Sequence, residues 1–289
     1  MKFGMHYIYW QKNLDAKSYC THLEHAFNAG YDVLELGDDI LFRMTEQELA
    51  ELKLLKDEKK MELALGLDPR ADGEFTDESS AHRDNGIRYY EQIFPVLEKL
   101  EIKNLGGRLL HTSSHNPRIK VQEADIERGK EAIAKLAASA RNYGITLHIE
   151  VCNRYESHIV NTAEQGVRFL QDLNEPNVKL LLDTFHMNIE EEGFGKAILT
   201  AGKYLGHVHL VENNRRLPGR GHLPWQEIGV ALKEIGYNGM LNMEPLVQTG
   251  GDLADYCRIW RDMTDEADTM AMNEHAKEAL QFIKYVMQV

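Results

Sequence analysis

Long hydrophobic runs are missing from this sequence: no apolar stretch approaches the roughly 18 residues that a bilayer-spanning helix needs, so no membrane span is expected. Cysteine is scarce as well. Cys20, Cys152 and Cys257 lie scattered, without the paired spacing of a disulfide framework or a zinc knuckle, and read as buried or incidental thiols in a reducing compartment. Positive charge is in deficit, with 33 Lys and Arg against 46 Asp and Glu and a net charge of −13. Such a surface repels a phosphate backbone, and no basic stripe interleaved with aromatics offsets it; nucleic acid and anionic membranes are excluded as expected partners. Pro-, Gly- or Ser-rich linkers and low-complexity tracts are absent too, so one domain over residues 1–289 is expected. The apolar segment Met1 to Trp10 has no basic region before it and no small-residue cleavage site after it. It reads as a strand rather than a secretion signal, and the cytoplasm is the expected location.

What the sequence does contain is alternation. Short β-branched or apolar runs exchange with longer amphipathic segments along the whole chain, the pattern of repeated βα units around a parallel sheet. About eight units are present, the number that closes a (β/α)₈ TIM barrel. The expected strands are Phe3 to Tyr9, Val33 to Leu36, Glu62 to Leu67, Ile102 to Gly107, Thr146 to Val151, Val178 to Asp183, Gly206 to Val211 and Met240 to Glu244. Between them, Thr45 and Glu48 form a capping box ahead of Leu49, Leu52 and Leu55 on one helix face. A second helix is expected from about Val121 to Asn142, with Ala132, Leu136 and Ala140 on one face and Tyr143-Gly144 as its stop; Gly30-Tyr31 and Gly236-Tyr237 repeat that glycine stop. The segment Asp265 to Val289 reads as a terminal helix outside the eight units. Two long loops, Asp68 to Ser80 and Ser113 to Pro117, follow strand ends, where barrels build their active sites.

Four consecutive strands finish on a metal-capable side chain: Glu150 after Leu147-His148-Ile149, Asp183 after Leu180-Leu181-Leu182, His209 after His207-Val208, and Glu244 after Asn242-Met243. A buried strand end penalises unpaired charge by several kcal/mol, and three carboxylates at one barrel mouth repel one another. A divalent cation between them resolves the conflict; a network of acids satisfied by Lys or Arg is the alternative. The oxygen-rich donor set favours one Mn²⁺ or Co²⁺ ion, with Mg²⁺ also compatible, over a closed thiolate zinc site.

These residues resemble the ketose 3-epimerases, the group containing D-tagatose 3-epimerase and D-psicose (allulose) 3-epimerase, within the xylose-isomerase-like barrels. The likeness rests on EVCNRYESHIVNTAEQG from Glu150, LDTFHMNIEE from Leu182, HVHLVENNRRLPGRGHLPW from His207, GYNGMLNMEP from Gly236, and Arg258 to Asp262, with a weaker match at the first strand and at Leu34-Glu35. The resemblance implies a metal held by Glu150, Asp183, His209 and Glu244 and contacting the oxygens on C2 and C3 of an open-chain ketose. It also implies that Glu150 and Glu244 face the two sides of C3, one removing and the other returning a proton through an enediolate. Glu156, His186 and Arg215 then hold the C1 and C2 end of the sugar, and a homodimer or homotetramer is implied. Inverting a carbon needs a base on one side and an acid on the other, which two glutamates supply.

The sequence departs from the family's pattern at the wall that contacts the far end of the sugar: His6, Leu14, Leu65, Leu67, Arg108 after Gly106-Gly107, and Leu210-Val211. Arg108, with His111 nearby, suggests recognition of an anionic or extended substrate end; the competing reading pairs Arg108 with Asp68 or another loop acid. An aldose–ketose isomerase or a keto-inositol dehydratase begins with the same proton removal and is the alternative activity. A DNA-repair phosphodiesterase fits poorly with the oxygen-rich quartet and the acidic charge, and retention of both Glu150 and Glu244 speaks against a noncatalytic barrel.

Overall fold

A computed structural model describes residues 1–14, 17–111 and 120–288. Eight parallel strands close on themselves in sequence order. They are β1 (Lys2–His6), β2 (Val33–Gly37), β3 (Glu62–Gly66), β4 (Asn104–Gly107), β5 (Thr146–Val151), β6 (Val178–Asp183), β7 (Leu205–Leu210) and β8 (Met240–Met243). Closure is made where β1 pairs with both neighbours, Gly4 with Val33 and Phe3 with Leu241. The expected barrel is therefore the observed architecture, and the loop Ser113 to Pro117 lies outside the described residues.

Strand ends differ from the sequence reading for local reasons. β1 stops at His6 instead of Tyr9, because the His6 side chain accepts from the Ile8 amide and turns Tyr7–Tyr9 into a 3₁₀ helix. β4 begins two residues later than expected, and β8 ends at Met243, with Glu244 the first residue beyond it. The capping box at Thr45 and Glu48 opens the helix Glu46–Lys59 as read. The second helix runs Glu123–Arg141, opened where the Asp125 carboxylate accepts from Gln122 N at 2.7 Å. Gly30 and Gly236 take left-handed backbone (φ 91 and 65), the conformation that ends a helix without a Cβ penalty. The terminal helix spans Thr269–Val286, capped by Asp268, and is tied to the 3₁₀ turn after β1 by Tyr9 Oη to Met272 O (3.0 Å) and to the residues just before β2 by Tyr31 Oη to Ala276 O (2.7 Å).

Strand periodicity divides the barrel into an apolar outer layer and a polar interior near its top. In β7, His207 and His209 alternate with Val208 and Leu210, and all four are buried. Glu35 on β2, Asp183 on β6 and Asn242 on β8 are each 0% exposed. Space for this layer comes from small residues: a Cβ at Gly4 would lie 1.9 Å from Asn242 Oδ1, so only glycine lets the amide enter.

Candidate active site

The C-terminal strand ends open into a cavity of about 580 Å³ lined by residues from β1 through the loop after β8. Glu150, Asp183, His209 and Glu244 each bring one ligand atom to within 4.8 Å of the others, so four side chains from four consecutive strands converge. His209 Nδ1 lies 3.6 Å from Glu244 Oε2 and 4.0 Å from Glu150 Oε1. Both separations exceed hydrogen-bond length, and this buried nitrogen has no hydrogen-bond partner among the described residues. Burial alone would lower the His209 pKa, but the charges of Glu35 and Glu244 raise it well above the ordinary imidazole value. Burial pushes the Glu244 carboxyl up, and His209 and the Arg215 guanidinium outweigh it, holding that carboxyl well below the usual range.

Arg215 spans the cluster, with Nη1 2.6 Å from Asp183 Oδ2 and 3.0 Å from Glu244 Oε2. Its guanidinium sits 4.1 Å from the Phe185 ring centroid, a cation–π contact that fixes the plane of the fork. Arg215 also has φ 61, left-handed backbone that costs a non-glycine residue about 1–2 kcal/mol. The turn is held by Arg215 N to Glu212 O (2.9 Å) and Leu246 N to Arg215 O (2.8 Å). Glu212 is itself an anchor: its carboxylate accepts from Gly219 N (2.7 Å) and Trp225 Nε1 (2.8 Å), which ties down the PGRG segment.

His186 and Glu156 meet the same cavity and are joined by Asn153, whose Nδ2 lies 2.7 Å from His186 Nδ1 and donates to Glu156 Oε1 at 3.1 Å. The other Glu156 oxygen accepts from Arg108 Nη1 at 3.2 Å. Six of the seven residues singled out in the sequence thus line one cavity, and Asp183, fully buried, joins them through the group it forms with Glu150, His209 and Glu244.

Arg108 is placed by the reading that paired it with Asp68. Its Nε donates to Asp68 Oδ1 at 2.8 Å, Nη2 pairs with the second carboxylate oxygen, and Tyr256 Oη donates to Asp68 at 2.7 Å. The guanidinium is already engaged by two carboxylates, and His111 is buried. Among the other departures, His6, Leu14 and Leu67 line the cavity, whereas Leu65, Leu210 and Val211 are fully buried away from it. The rebuilt wall is therefore smaller than the sequence suggested.

A family model described as xylose isomerase-like TIM barrel matches residues 23–284. A D-psicose 3-epimerase of Agrobacterium fabrum is 40% identical over 288 residues, 99% of each chain. One of Ruminiclostridium cellulolyticum is 37% identical, covering 100% of this chain and 98% of its own. The crystal structure of a D-psicose 3-epimerase in the presence of D-fructose superposes with a TM-score of 0.95 at 39% identity, covering 100% of both chains. The chain belongs to the ketose 3-epimerase family. It does so within the xylose isomerase-like TIM barrels, and the likeness covers the N-terminal half as fully as the C-terminal half that carried the sequence motifs.

In this ketose 3-epimerase several residues that shape the site escaped the sequence reading. Asn153 and Asn242 gave no signal, because an amide flanked by motif residues has no distinctive spacing. Glu35 did give one: a carboxylate inside the buried run Val33–Gly37 is costly unless it has a partner.

Proposed function

We propose that the chain is a divalent-metal-dependent ketose 3-epimerase. The observation that carries this reading is the convergence of two carboxylates, Glu150 and Glu244, near His209 Nδ1 at the wall of a sugar-sized cavity. The donor set suits a divalent cation on its own chemistry. Three carboxylates and one imidazole bring ligand atoms within 4.8 Å of one another, and the imidazole nitrogen facing them is buried without a hydrogen-bond partner among the described residues. Glu150, Asp183, His209 and Glu244 would hold the ion, with Mn²⁺ or Co²⁺ favoured and Mg²⁺ compatible. When bound, such an ion supplies Lewis-acid stabilisation of negative charge on the sugar oxygens.

The chain's own residues handle the proton. One glutamate carboxylate accepts the C3 proton while the C–H electron pair moves into the C2 carbonyl, leaving an enediolate across C2 and C3. The other glutamate, protonated, delivers its proton to the opposite face of C3 and the carbonyl reforms. Each glutamate is the acid in one direction and the base in the other. Glu156, His186 and Arg215 orient the C1 and C2 end through hydrogen bonds, which keeps C3 between the two carboxyls.

Charge selects a neutral sugar. The cavity wall carries the carboxylates Asp38, Asp68, Glu150, Glu156 and Glu244 and the guanidiniums Arg70, Arg108, Arg215 and Arg258. With Asp183 in the ligand group, one divalent cation brings this set to neutrality, and Arg108 is already engaged by Asp68 and Glu156. A free ketose is favoured over a phosphorylated or oxidised one. The proposal extends to a homodimer or homotetramer in the cytoplasm, which light scattering of the purified protein checks for assembly.

The test is a product panel. Metal-reconstituted protein is incubated with D-fructose, D-tagatose and L-ribulose plus Mn²⁺, and the sugars are separated. C3 epimers are expected; an aldose or a dehydrated ketone as the main product would overturn the reading. Glu150→Gln keeps the fold and loses turnover by about 10²–10⁴-fold, the ordinary worth of a positioned acid or base.

A further inference from the structure

His209 has two ring nitrogens, and the structure gives each a different neighbour. Nδ1 faces Glu150 and Glu244, while Nε2 lies 3.1 Å from Glu35 Oε2 at the opposite edge of the ring. An ionised carboxylate accepts and cannot donate, so this contact requires a proton on Nε2. A neutral imidazole carries one proton, and with Nε2 holding it, the Nδ1 lone pair points into the ligand group.

Glu35 is a costly residue where it stands. It lies in the middle of β2, is 0% exposed, and sits inside the barrel beneath the cavity rather than on its wall. Burying a carboxylate there costs several kcal/mol unless partners offset it. Two partners converge on one oxygen: His209 Nε2 at 3.1 Å and Asn242 Nδ2, which donates at 2.8 Å from β8. His207 Nε2 lies farther off, at 3.7 Å, beyond hydrogen-bond reach of the same oxygen. Asn242 in turn occupies the space left by the missing side chain of Gly4. A chain of contacts across β1, β8, β2 and β7 therefore ends on one imidazole edge.

We infer that Glu35 is a positioning residue that fixes the ring orientation and Nε2–H tautomer of His209, presenting Nδ1 to the cation. The inference rests on the reading that a divalent ion occupies the group Glu150, Asp183, His209 and Glu244. A carboxylate behind a metal-ligating histidine typically contributes 10–100-fold in metal affinity.

The experiment is calorimetric titration of Mn²⁺ into metal-free wild type, Glu35→Gln and Glu35→Asp, each checked for native circular dichroism. Glu35→Gln keeps the size of the side chain with a weaker acceptor, and about 10–100-fold weaker Mn²⁺ binding is expected. Glu35→Asp keeps the carboxylate and is expected to fall between the two. Epimerase activity of Glu35→Gln should return as Mn²⁺ is raised by the same factor, which a misfolded barrel would not show. In ¹⁵N-labelled wild type loaded with diamagnetic Mg²⁺, two-bond ¹H–¹⁵N spectra should place the His209 proton on Nε2. A folded Glu35→Gln that binds Mn²⁺ as tightly as wild type, or a His209 proton on Nδ1 in the loaded protein, overturns the role of Glu35 and leaves the metal reading standing. Wild type that takes up no divalent ion overturns both.

Discussion

Asn153 has an amide with one orientation. Its Oδ1 accepts from the Tyr155 backbone amide at 2.9 Å, so Nδ2 must face His186 and Glu156. The 2.7 Å contact to His186 Nδ1 decides that ring's tautomer over the 3.4 Å approach of Arg215 Nη2 to the far nitrogen, because hydrogen-bond strength falls steeply with distance. Nε2 then carries the proton and offers it toward the cavity. Asn153→Asp replaces that donor with an acceptor beside the Glu156 carboxylate; KM is expected to rise at least about 10-fold, the loss of one charge-assisted bond of ~1.5 kcal/mol or more. Unchanged KM in a folded variant would show that His186 does not depend on the amide. The Arg108–Asp68 pair makes a separate prediction about stability. Breaking a buried pair by removing one partner costs about 3–5 kcal/mol, and this one should cost less, about 2, because Asp68 keeps 28% side-chain exposure. Urea unfolding of Arg108→Met measures that loss, and adding Asp68→Asn should recover part of it, since the second substitution removes the orphaned charge.

Strands and helices were legible where a pattern repeats along the chain. The four converging positions, Glu150, Asp183, His209 and Glu244, could be read because each closes an apolar run, and closing a run is a one-dimensional property. Glu35 and His209 are 174 residues apart, and no spacing announces that β2 and β7 face each other across a barrel interior. The Tyr7–Tyr9 turn is hidden in the sequence for a similar reason: its cap is a side chain, and the apolar pattern of strand and 3₁₀ turn is the same over three residues. The first helix, Tyr19–Ala29, carries a consequence that the sequence did not announce at all. His22 is buried on that helix with Nε2 donating to Gln11 Oε1 at 3.0 Å. Burial, helped by the nearby His25, depresses its pKa to about 3. With a folded pKa below the unfolded value of about 6.5, the unfolded chain takes up a proton first as pH falls. The stability this group contributes is present in full above pH 6.5 and is lost progressively through the window from 6.5 to about 3. Replacing it in His22→Gln should flatten the decline: between pH 7 and 4.5 the wild type is expected to lose about 2–3 kcal/mol more than the variant, read from urea midpoints. Parallel declines would mean that His22 protonates without opening the helix.

At the scale of the whole molecule, a chain with a net charge of −13 gathers three of its carboxylates at one point, and the fold must tolerate this with and without a cation. Arg215 provides the tolerance, bridging Asp183 and Glu244 beside His209, whose pKa the charges of Glu35 and Glu244 raise well above the ordinary imidazole value. Removal of divalent ions should therefore leave the barrel folded and lower its melting temperature, in contrast to small domains whose fold is made by the metal. A ligand at 100 times its dissociation constant stabilises by about 2.7 kcal/mol. Spread over the unfolding entropy of a chain of 289 residues, that is a rise of about 4–5 °C. Chelator-treated protein should show this rise on adding Mn²⁺, and Arg215→Met should lower the melting temperature of the metal-free form more than that of the loaded form, because only the metal-free form depends on the guanidinium to offset the carboxylates. Equal losses in both forms would mean that Arg215 does not stand in for a cation, and no rise with Mn²⁺ would mean that the four converging side chains are not its site.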